Sequence, residues 1–187
     1  MSEEQNEIDW TSYYTLLGEF VVDFENIIYL IRGNCCSLVN GKGLKDSSLA
    51  KAIFGQKTFT AGPLLNCYVT IVTEVVKYAN GNETVLNRLT KFKNEFTKLI
   101  ESRNDILHST HVSVENIALV GKVDNETEKK FFRAIKPSPN KTGYSEKRTH
   151  EAEIREYTDQ LKELYIEFNA FVKDLNVFLK TNKLIGN

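Results

Sequence analysis

The sequence predicts an all-α protein. It reads as an antiparallel helical bundle with a small β-hairpin or irregular insert ahead of the last helix. Three observations carry this. Apolar residues return at alternating steps of three and four through four long stretches, the spacing of one buried helix face. The 187 residues include only three Pro and ten Gly, which leaves room for long helices. One stretch, about 112–145, loses the period and turns polar. The length suits a single domain over 1–187 with one core.

Taken in order, the first helix is expected over Ile8–Ile31. Tyr13, Leu17, Phe20, Phe24, Ile27 and Ile31 form its stripe, and Trp10, Leu16, Val21 and Ile28 widen it. Gly33-Asn34 reads as its stop signal. Cys35 to Gly62 gives mixed signals, with a short helix expected over Asp46–Phe54. Gly41-Lys42-Gly43 is too short for a phosphate loop, so a nucleoside triphosphatase is rejected. The second long helix is expected over 64–79, with Thr60 as cap and Pro63 in its first turn. Its β-branched residues (Val69, Thr70, Ile71, Val72, Thr73, Val75, Val76) favour a strand by propensity. Its length and the steps Leu65, Tyr68, Val72, Val75 and Ala79 favour a helix. Asn80-Gly81-Asn82 breaks it.

The third helix is expected over 84–108, capped by Asn82 or Thr84, with Val85, Leu89, Phe92, Phe96 and Leu99 as its stripe. A hairpin or irregular arm follows from about Val112 to Lys136, turning at Asp124–Thr127. Pro137–Gly143 is a loop. The insert carries Lys122, Lys129, Lys130, Arg133, Lys136, Lys141, Lys147 and Arg148. Such an arm can grip a phosphate backbone, with Phe131 or Phe132 as a base-stacking platform. Alternatively, those two rings pin the arm onto the helices. The last helix is expected over Ser145–Leu179, with Ile154, Tyr157, Leu161, Leu164, Phe168, Phe171, Leu175 and Phe178 as its stripe.

Net charge is −1, so global charge does not announce a nucleic-acid binder. Charge is uneven, however. Residues 1–31 hold seven acids and no Lys or Arg, leaving 24 basic against 18 acidic residues in the remainder. Any RNA-binding face is therefore expected away from the first helix, although an acidic amino terminus also suits the helix dipole. Cys35, Cys36 and Cys67 lack zinc-ligand spacing and read as free thiols of a reducing cytoplasm. The first residues lack the regions of a signal peptide, and no apolar run approaches the ~18 residues of a membrane span. The expected setting is cytoplasmic, with no membrane contact.

One stretch breaks the helix pattern in an informative way. Extending the third helix's stripe reaches Arg103 and then Leu107, so a permanent cation stands where an apolar group belongs. That is costly unless the charge is paired or faces a wet cavity. His108 lies five residues on, about 140° around and about 7.5 Å along a helix, so the two can border one groove. Asn104 and His108, four apart, share a face, and the amide can orient the imidazole.

Arg103-Asn104, three residues, then His108, late in a long helix of an all-helical chain, resembles the signature of HEPN domains. Many of these are metal-independent endoribonucleases of toxin–antitoxin and anti-phage systems. The resemblance covers few positions. It implies a HEPN-like bundle, catalytic roles for Arg103 and His108, and a supporting role for Asn104. It also implies a homodimer whose motifs meet across a cleft, an RNA substrate, and neither cofactor nor metal. An antitoxin protein is a possible further partner of such a toxin.

The residue types suit that chemistry. RNA brings its own nucleophile, the 2′-hydroxyl, so cleavage needs proton transfer and positive charge at the phosphorus. His supplies the first and Arg the second. One His and one Arg make a sparse site, which a two-fold dimer doubles. The rival enzyme reading is a metal site at His108-x-x-His111 near Asp105, but His-Glu-x-x-His is absent. A Ser-His-Asp hydrolase lacks its nucleophile elbow. The alternative from another class is a non-catalytic HEPN-like module that binds RNA, a nucleotide or an antitoxin.

Overall fold

Four helices account for most of the described residues in a computed structural model that describes residues 10–40, 52–55, 60–107, 110–113, 132–137, 144–149 and 151–184. They are α1 (Trp10–Asn40), α2 (Ala61–Tyr78), α3 (Glu83–Leu107) and α4 (Glu151–Thr181). Three short strands lie between α3 and α4: β1 (Thr110–Ser113), β2 (Phe132–Pro137) and β3 (Tyr144–Thr149). The chain divides into two compact units, one of residues 1–21 and 101–159, the other of 22–100 and 160–187.

The second unit is a four-helix bundle. Its core is a run of aromatic rings in contact, one or two from each helix. Phe24 of α1 stacks on Phe96 of α3 at 5.2 Å, and Phe96 on Phe92 at 5.7 Å. Phe92 stacks on Phe168 of α4 at 4.3 Å, and Phe168 meets Tyr68 of α2 edge-on at 5.5 Å. Offset and edge-on pairs at these separations are the favoured geometries. Ile27, Ile31, Leu64, Val72, Leu89, Leu164 and Leu175 are buried with them. Lys91 pairs with Glu167 and Arg88 with Asp174, so α3 and α4 run antiparallel. The β-branched α2 is helical because burial of Leu64, Leu65, Tyr68, Val72 and Val76 overrides local propensity.

Helix ends follow backbone chemistry. Asn82 Oδ1 accepts the Val85 amide at 3.1 Å, making Asn82 the cap of α3. Thr60 holds the N-cap position of α2 without a side-chain cap bond, and its carbonyl accepts the Leu64 amide at 3.0 Å. Beyond α2, Gly81 N–H donates to Val76 and Asn80 N–H to Lys77, with Asn80 at φ 66°. That is a Schellman turn, and it joins α2 to α3 through only four residues, 79–82.

The other unit contains the start of α1, the end of α3, the start of α4 and the strands. Tyr13, Leu16, Phe20, Ile106, Ile154 and Thr158 are buried there. Phe20 and Tyr157 lie ring to ring at 6.4 Å. The strands form one antiparallel sheet in the order β1-β2-β3.

Several expected boundaries are corrected. Gly33 does not stop α1, which runs on to Asn40. A stop needs a left-handed backbone, and Gly33 has none, while Cys35 and Leu38 continue the buried stripe. Helix α2 begins at Ala61, a turn earlier than its apolar steps indicate. The last helix begins at Glu151 rather than Ser145, because Tyr144–Thr149 is strand β3 and the apolar steps start only at Ile154. The proposed His108-x-x-His111 pair does not share a helix: α3 ends at Leu107 and His111 belongs to β1. Residues 52–54 form one helical turn with Phe54 buried; the rest of the helix expected over 46–54 lies outside the described residues, as does the turn at 124–127.

Candidate functional site

Arg103 occupies the stripe position that the helix period assigns to an apolar residue. Its neighbours on that stripe, Leu99 and Ile106, are both buried, and Arg103 itself is half-buried. The Nε of its guanidinium is buried. Its Nη1 donates to Asn104 Oδ1 at 3.4 Å. That bond is long and joins adjacent residues, which do not face one another on a helix. Asn104 is exposed and Asp105 half-buried.

His108 follows Leu107, the final residue of α3, and lies outside the described residues. The structure therefore places Arg103 and Asn104 together in the last two turns of the helix. The contact expected between Asn104 and His108 lies outside what is described. Asn104 does have a partner that the sequence did not reveal, Arg103 itself.

Two grooves open in the bundle unit, each of about 290 Å³. The first is lined by Arg88, Lys91, Phe92, Glu167, Phe168, Ala170 and Phe171. Arg88 lies over the Phe171 ring at 5.6 Å and pairs with Asp174. Lys91 bonds Glu167 at 3.1 Å, and that bond and the Glu95 carboxylate push its pKa above the usual lysine value. The second groove adds Lys98, Gln160 and Glu163. Charges of both signs line each groove: Arg88 and Lys91 with Glu167 in the first, Lys91 and Lys98 with Glu95, Glu163 and Glu167 in the second. Their signal was complementary charge at helical spacing, Arg88 and Lys91 on α3 against Glu167 and Asp174 on α4.

Cys35 is buried, and Cys36 and Cys67 are half-buried. Burial pushes the Cys35 thiol up to about 12, with the nearby Cys67 and Cys36 adding to it, and burial also raises Cys67. A thiol so raised carries little thiolate at neutral pH and is a poor nucleophile. All three are free. Among the described residues no cluster of His, Cys, Asp or Glu could hold a metal ion. None of the described helices is long and apolar enough to cross a membrane.

The class these features define is a helical-bundle protein with a cationic residue set into the apolar stripe of its third helix. No family model, curated protein or solved structure matches the chain.

Proposed function

We propose that the protein is a metal-independent endoribonuclease of toxin or anti-phage defence type, HEPN-like in fold, that cuts single-stranded RNA or a tRNA loop. Its site is composite, formed by two motifs meeting in a homodimer. The observation that supports this most is Arg103. A bundle helix keeps a half-buried arginine on its apolar stripe, five residues before a histidine. A cation so placed suits an anionic ligand better than it suits the core.

In the proposed reaction one His108 takes the 2′-hydroxyl proton. The O2′–phosphorus bond forms, the phosphorus–O5′ bond breaks, and the partner's copy of the same histidine protonates O5′. Arg103 stabilises the charge on the non-bridging oxygens. The product ends are a 2′,3′-cyclic phosphate and a 5′-hydroxyl. Asn104 orients the neighbouring groups, and an antitoxin protein is the natural regulator of such an enzyme.

The test is cleavage of a single-stranded RNA pool with EDTA present. His108→Ala should slow cutting by roughly two to four orders of magnitude. Arg103→Ala should add on the order of 3 kcal/mol to the barrier, and Arg103→Lys should not restore the rate. Asn104→Ala should weaken cutting without abolishing it. An uncut pool, or a His108→Ala variant as fast as wild type, ends this reading and leaves the non-catalytic binding module in its place.

A further inference from the structure

Helix α4 has a second face that the bundle does not use. Leu164, Phe168, Phe171 and Leu175 are buried on one side of it. At about 100° per residue, Ile166, Ala170, Lys173 and Val177 lie on the opposite side, one above another at steps of four, three and four. All four are exposed, Ile166 at 68% and Val177 at 64%. A single exposed apolar residue is ordinary. Two on one line, at the steps of a coiled-coil seam, form a surface that another helix can cover.

The charges indicate which helix. Glu163 extends the seam by one step toward the start of α4, and Lys180 extends it by one step toward the end; both are exposed. Among the described residues Glu163, Lys173 and Lys180 make no ion pair, whereas Glu167 and Asp174 on the flank toward α3 are taken by Lys91 and Arg88. Two copies of this seam laid antiparallel, with a two-fold axis between positions 171 and 172, are complementary throughout. Ile166 meets Val177 of the second copy, and Glu163 meets its Lys180. Lys173 meets Ala170, whose small side chain lets the lysine stem run out to water. A parallel pair instead sets Glu163, Lys173 and Lys180 each against itself, and like charges so placed oppose association.

We infer that the outer face of α4 is a contact surface for a second copy of this chain, docked antiparallel along the seam from Glu163 to Lys180. The surface rests on α4 alone and not on the ribonuclease reading. It spans about 26 Å of helix with two apolar pairs, which is small for an interface, so the pairing is reversible and weak.

The test is sedimentation equilibrium of the full chain at concentrations up to about 1 mM. The weight-average mass of the wild type should rise with concentration. Glu163→Lys and Lys180→Glu each set like charges opposite one another, and each variant alone should associate at least about tenfold more weakly. Mixed in equal amounts, the two should associate at least as well as wild type, because each supplies the sign that the other lacks. Ile166→Ser/Val177→Ser should weaken association as well, and no mixture should restore it. Every substituted side chain is exposed, so thermal melts should match wild type. A wild-type mass that does not change with concentration overturns the proposal. So do single variants that associate like wild type, or a mixture that associates no better than its components. Those results leave the face to a different helical protein or to solvent. RNA cutting is scored separately. Variants that cut at the wild-type rate while failing to pair keep the ribonuclease reading on another interface. A chain that pairs through α4 and cuts nothing keeps this surface and loses that reading.

Discussion

Replacing Phe168 by alanine should remove much of the stability of the bundle unit. The ring is 1% exposed. It stacks on Phe92 at 4.3 Å, meets Tyr68 edge-on at 5.5 Å and lies 6.4 Å from Phe171, so it links α2, α3 and α4. Phe→Ala in a packed core costs about 3–5 kcal/mol, and aromatic pairs add about 0.5–1.5 kcal/mol beyond area burial. With two close pairs lost, the upper half of the range applies, about 4–5 kcal/mol. Phe168→Leu keeps most of the volume and loses the ring pairs, and should cost about 1–2 kcal/mol. Urea unfolding followed by far-ultraviolet circular dichroism measures both against Ile166→Ala. That residue is two positions away and 68% exposed, so its change should stay within about 0.5 kcal/mol. A Phe168→Ala loss below about 2 kcal/mol, or one equal to that of Ile166→Ala, would refute the aromatic core described above.

Two further outcomes test the backbone and the buried thiol. Gly33→Ala should stabilise by about 0.5–1 kcal/mol, because the glycine is mid-helix and an added Cβ meets nothing within 4 Å. Gly81→Ala should destabilise by about 1 kcal/mol or more, since φ is +78° there; thermal melts of the two variants should shift in opposite directions. Cys35 titrates at 9.0 when free and is pushed up to about 12 in the fold. Its contribution is thus complete below pH 9 and is lost as pH rises toward 12. Wild type should lose more stability than Cys35→Ala between pH 8 and pH 10.5 in parallel urea titrations, and equal losses would contradict the buried placement.

The sequence revealed faces better than ends. The stripes Phe24–Ile27–Ile31, Leu89–Phe92–Phe96 and Leu161–Leu164–Phe168 are buried because periodicity alone identifies the side that excludes water. The start of α3 was legible too, since Asn82 accepts an amide as a cap residue should. The end of α1 was not. Glycine permits a left-handed stop without imposing one, and only the later burial of Cys35 and Leu38 decides between them. Strand β3 was read as the beginning of α4 because Ser145–Arg148 is polar and carries no period of its own. Its pairing with β2 is a long-range choice. At the candidate site, Arg103 stood out because it violates its stripe. The pairing of β2 with β3, which sets Arg133 opposite Arg148, did not, because register is invisible in a list of residues.

The four-residue Schellman connection between α2 and α3 has a consequence for how the chain reaches its fold. Helices α2 and α3 are joined by a turn of four residues, whereas Phe92 and Phe168 meet across a separation of 76 residues. Closure entropy grows with the logarithm of the loop, and local contacts form first in helical proteins. The α2–α3 hairpin is therefore the expected nucleus, with α4 docking later along the aromatic run. On this account, destabilisation at the turn slows folding, while destabilisation at Phe168 mainly speeds unfolding. The lifetime of the folded state is then governed by how firmly the last helix holds its rings.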